Sequence, residues 1–159
     1  MVESIRKRFF EMLADAEKSY ANAEYLVRIT YPVVKDSKLL LRALEALYRS
    51  VVTAISAILY FEFLYKRIEL TKDSVRNQEV FFRDCAARYG ISEADKVNIK
   101  AIFEYSLKHK ASGTELARPG KIMIMDDYMR GTDLSVNRLK ELLAVVKRLL
   151  ENATEVFEV

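Results

Sequence analysis

Apolar residues recur at intervals of three and four through most of this chain. Ile5, Phe9, Met12, Ala16, Tyr20, Ala23 and Val27 do so with charge on the remaining faces, which predicts one long amphipathic helix over residues 3 to 30. Tyr31-Pro32 is expected to close it, because proline disfavours helical geometry at the residue before it. A cap at Asp36 or Ser37 then opens a second helix reaching about Ile68, and the short link makes the two an antiparallel hairpin.

The second helix is apolar on nearly every side. At 100° per residue, Lys38, Arg42, Glu45, Arg49, Thr53, Ser56 and Tyr60 fall in one stripe roughly 80° wide. A narrow polar seam therefore runs along a segment otherwise built to be buried. Such a seam serves as a window to water, a wall of a ligand cleft, or half of a symmetric contact.

Thr71 or Asp73 starts a third helix with Val75, Phe82, Cys85, Ala86 and Tyr89 on its apolar face, and Gly90 suits a left-handed cap. Ser92 to Asp95 has the form of a capping box and opens a fourth helix through Val97, Ala101, Ile102 and Tyr105 to about Lys110. The stretch 111–133 breaks the helical period. It holds three of the four glycines, and Arg118-Pro119-Gly120-Lys121 carries type II turn residues, so Glu115 to Ala117 and Ile122 to Met125 are expected to pair as a small hairpin. Ser135 caps a last helix whose Val136, Leu139, Leu143, Val146, Leu150, Ala153 and Phe157 form a seam for packing along another helix, in the first place its own bundle. The fold class is mainly all-α: one domain over 1–159, an up-and-down bundle of about five helices with a hairpin insertion before the last.

Composition supports this. Half of the 159 residues are hydrophobic, with only four Gly and two Pro, which favours long regular elements. The single cysteine, Cys85, excludes an internal disulfide and multi-cysteine metal sites and suits a reducing, cytoplasmic setting. Neither a signal peptide nor a membrane span is expected, since charge returns at Glu11 and Asp15 and the longest uncharged run, Ser50 to Phe61, is short. Net charge is +3, spread evenly, so attraction to a polyanion requires a local patch.

Two groups of residues bear on chemistry. Arg42, Glu45 and Arg49 stand three and four apart, so Glu45 is expected to pair with either arginine. Lys108, His109, Lys110, Arg118 and Lys121 gather where the fourth helix ends and the hairpin turns, with Glu115 the only acid between them; the helix dipole alone accounts for the first three, and the functional reading is a phosphate-contacting patch. His109 is the one side chain with an unperturbed pKa near neutrality, and among basic neighbours it is expected to be neutral, with Asp126 and Asp127 either orienting it or marking a turn. Cys85 is expected to be buried. No metal site and no cofactor are indicated.

A long antiparallel helix pair, two further helices and a final helix after a basic turn resemble the HEPN superfamily of small helical bundles. The resemblance implies a homodimer, and many members are RNA-cleaving toxins or partners of nucleotidyltransferases. Their Arg-x4-6-His signature is missing, because Ile102, Phe103 and Glu104 stand where the Arg before His109 would be. The expectation is a non-catalytic homodimer that holds an anionic partner, RNA or nucleotide, through Arg42, Glu45, Arg49 and the Lys108 to Lys121 patch. A metal-independent ribonuclease using His109 and a protein-interaction scaffold are the alternatives.

Overall fold

The structure, a computed structural model, describes residues 2–158, with side chains for 3–156; the Phe157 position of the last seam lies outside the described side chains. The first helix, α1 (Val2–Tyr25), does not stop at Tyr31. It widens into a π turn over Leu26–Thr30 and continues as a last turn, α2 (Tyr31–Val34). Pro32 follows directly on the π turn, within one turn of the helix's end. Lys35 ends the helix in the left-handed conformation, φ 56°, donating its N–H to Tyr31 O at 2.7 Å.

The seam-bearing helix, α3 (Lys38–Leu64), is continuous and ends a turn earlier than Ile68. It runs antiparallel to α1: Ser50 near its middle donates to Ala16 O at 2.7 Å, and Phe61 near its end packs on Phe9. Leu40, Leu44, Leu47, Val51, Ala54 and Ile58 are buried, whereas Lys38, Arg42, Glu45, Arg49, Ser56 and Tyr60 are exposed along one edge. By length and composition α3 is apolar enough to cross a membrane, but its apolar faces pack against α1, α5 and α6 within the bundle.

The third helix is composite. Asp73 caps α4 (Ser74–Val80) by accepting from Val75 N–H at 2.9 Å, and the chain then passes through a π turn over Phe81–Cys85 and a 3-10 turn over Ala86–Tyr89 to a left-handed Gly90. Cys85, Ala86 and Tyr89 are buried as expected, but Phe81 takes the core position with Phe82 only half-buried, and Val75 is exposed, because the π turn shifts which side faces the core. Ser92 Oγ caps α5 (Glu93–Ala111) at Asp95 N–H. The Asp95 carboxylate takes both Nε and Nη2 of Arg148, tying α5 to the last helix, and Val97 is exposed on the far side.

The insertion is a three-stranded antiparallel sheet, one strand more than expected: β1 (Thr114–Arg118), β2 (Lys121–Met125) and β3 (Gly131–Ser135), in that order. Ile122, Ile124 and Leu134 face the bundle and are buried. Its first turn is fastened to the α2–α3 junction, with Gly120 N–H donating to Tyr31 Oη at 3.0 Å and Ser37 Oγ to Arg118 O at 2.6 Å. Ser135 Oγ then caps α6 (Val136–Glu158). Leu139, Leu143, Val146, Leu150 and Ala153 are buried, as are Leu142, Val145 and Leu149, so this seam is covered by the chain's own α1, α3 and α5.

Candidate anion-binding seam and its histidine bridge

The unbroken α3 places Arg42, Glu45 and Arg49 on one exposed edge, as their spacing requires. Glu45, however, pairs with neither arginine. Its Oε1 lies 2.9 Å from His109 Nε2, on the last turn of α5, and the other ring nitrogen, Nδ1, lies 3.0 Å from Glu115 Oε1 on β1. The two carboxylates, from two different elements, thus grip opposite edges of one imidazole.

Both bonds form fully only if both nitrogens carry protons, which makes the ring an imidazolium. Burial pulls the His109 pKa down, but the hydrogen bond to Glu45 and the charge and hydrogen bond of Glu115 outweigh it, so the net shift is upward. The shift favours the protonated form, the direction opposite to that expected among basic neighbours. Asp126 and Asp127 do not orient it: Asp126 accepts from the N–H groups of Tyr128 and Arg130 and pairs with the Arg130 guanidinium, the turn reading of those acids. Because the ring stands between the carboxylates, the three side chains diverge and cannot share a metal ion.

Around the bridge lies a cavity of about 280 Å3 lined by Glu45, Tyr48, Arg49, Ser106, His109 and Lys110. Lys110 Nζ lies 5.0 Å from the centre of the Tyr48 ring, and the Phe103 ring packs on Tyr48 in a T-shaped contact. The Ser106 hydroxyl is buried without a hydrogen-bond partner. Among the described residues, Arg42 and Arg49 form no ion pair, whereas Glu45 is engaged by His109, a partner it shares with Glu115.

The basic cluster expected around the hairpin does not form one patch. Lys108 points away from His109 and donates to Thr132 Oγ1 on β3, beside a separate hollow with Asp126, Asp127 and Arg130. Lys121 pairs with Asp133 at 3.1 Å. Arg118 sits at the sheet's turn, in a hollow shared with Tyr31 and Lys35. Only His109 and Lys110 join the α3 seam, because successive residues on a helix point 100° apart.

Sequence reasoning missed Glu115, Tyr48 and Ser106 as members of this site. Glu115 left one trace, as the lone acid within a basic stretch; the other two left none. Comparison with protein-family models, with curated proteins and with solved structures gave no match.

Proposed function

We propose that this chain is a non-catalytic helical bundle that holds an anionic partner, RNA or a nucleotide before others, along the exposed edge of α3 and the last turn of α5. The observation that carries the reading is the pairing along that edge: among the described residues Arg42 and Arg49 have no acid partner, Lys110 rests on an aromatic face, and Glu45 is engaged by His109. A guanidinium in this state is suited to phosphate, which it meets with paired hydrogen bonds. The non-catalytic part of the proposal draws on the same bridge, since both nitrogens of the sole histidine are engaged and neither is open to a substrate. The setting is cytoplasmic, in keeping with one reduced, buried cysteine.

A homodimer completes the proposal. Tyr25, Ile29 and Val33, spaced four apart, are all more than half exposed, an apolar stripe suited to a second copy. A solution mass of one chain alone removes that half of the proposal.

Binding is tested with an eight-nucleotide RNA across a salt series. Three phosphate contacts give a log-affinity against log-salt slope of roughly −2 for a single strand. Arg42→Ala, Arg49→Ala and Lys110→Ala combined is expected to flatten that slope and weaken binding at least about tenfold at low salt. Lys108→Ala with Lys121→Ala is expected to change little. Equal loss in both variants, or none in either, rejects the seam as the site.

A further inference from the structure

We infer that Glu45, His109 and Glu115 form a proton-operated clasp that fastens the start of the sheet to the bundle and sets the charge of the α3 edge. It adds regulation to the proposed anion site, and depends on that reading only for its effect on binding.

The geometry is asymmetric along β1. The turn end is held by the Ser37 hydroxyl, which donates to Arg118 O, and by the Tyr31 hydroxyl, which accepts from Gly120 N–H. The start of the strand is paired with β2 and held at its first residue by Ser112 Oγ, which donates to Thr114 O and Met125 O; among the described residues, its one side-chain tie to α3 runs through His109, which bridges from α5 to Glu115 on one side and to Glu45 on the other. Glu115 Oε2 is buried with no hydrogen-bond partner, so the imidazolium is the sole partner seen for that carboxylate. Facing the ring from α3 are Glu45, Tyr48 and Arg49; from α5, Ser106 and Lys110; from β1, Glu115; β2 contributes the apolar Ile124, register partner of Glu115. Among the described residues no second cation is hydrogen-bonded to Glu115, so loss of the ring proton leaves one carboxylate facing a nitrogen lone pair.

Two consequences follow from that proton. The strand start loosens about its fixed turn end, and Glu45 returns a full negative charge to the edge that Arg42 and Arg49 occupy. The direction is fixed by the bridge: a group that holds its proton more tightly in the folded state stabilises it fully below the ordinary histidine value of about 6.5 and ceases to do so as pH rises through the folded value.

His109 is the only histidine, so its imidazole resonances are unambiguous in NMR. The ring is expected to titrate above about 6.5 with both nitrogens protonated below the midpoint. Hydrogen exchange at Thr114 to Leu116, corrected for intrinsic pH dependence, should quicken about tenfold through that same midpoint, the equivalent of one charge-assisted bond, while α6 amides stay protected. His109→Gln should remove the pH dependence. A ring that titrates at or below the ordinary value overturns the clasp, and so do β1 amides that ignore the midpoint or still follow it in His109→Gln. With the eight-nucleotide RNA, affinity should fall over the same window in wild type alone. Constant affinity overturns the regulatory part, whereas no binding at any pH rejects the seam reading and leaves the NMR result to decide the clasp.

Discussion

Glu62 is 2% exposed in a helix otherwise packed with aliphatic side chains, and it persists there because three groups surround it. Tyr89 Oη donates to its Oε1 at 2.9 Å, Arg67 Nη1 lies 3.3 Å from its Oε2, and Arg88 reaches to 3.5 Å. Burial first, then the charge and hydrogen bond of Glu62, push the Tyr89 hydroxyl above the ordinary tyrosine range. Glu62→Ala removes that acceptor from a buried phenol, so a cost of about 2–3 kcal/mol is expected in urea unfolding. Arg67→Ala, whose side chain is partly in water, should cost under about 1 kcal/mol. A Glu62→Ala loss no larger than that of Arg67→Ala would show the buried carboxylate to be dispensable. Neither this cluster nor the His109 bridge was legible in the sequence. Glu45 and His109 are 64 positions apart, and only the folding of α5 onto α3 makes them neighbours; local spacing offered the arginines to Glu45 instead.

At the scale of elements, period and punctuation carried most of the reading. The helices α1, α3, α5 and α6 arise from apolar recurrence with Ser92 and Ser135 as caps, and the Pro119-Gly120 pair located the sheet's first turn. What escaped has a physical cause in each case. β3 carries one buried apolar residue, Leu134, too few to show a period of two, and it gains its place by pairing with β2. The π turns at Leu26–Thr30 and Phe81–Cys85 come from one extra residue per turn, which leaves no mark on composition. The turn itself is testable. Gly120 has φ 75°, and a Cβ there would meet no atom within 4 Å, so Gly120→Ala isolates the backbone cost. A loss of about 1 kcal/mol is expected, seen as a lower urea midpoint with unchanged slope. No loss would mean that the turn relaxes freely, and that the Tyr31 and Ser37 bonds do not hold it.

Over the whole molecule, α3 is the common wall: α1 lies along it, α5 and α6 pack on its other sides, and the sheet closes over its first half. Its one exposed edge follows from arithmetic on the sequence, while the identity of what neutralises that edge does not. The same enclosure gives the chain a reporter. Cys85, the only thiol, is 1% exposed, and burial pushes its pKa up to about 11. In the closed bundle it is neither reachable nor ionised at neutral pH, and a thiol reagent can capture it only when the 81–89 turns part from α3 and α6. Labelling that keeps pace with a free thiol would contradict this enclosure. Otherwise each captured sulfur marks one breath of the protein, a clock already wound into the chain without any added dye.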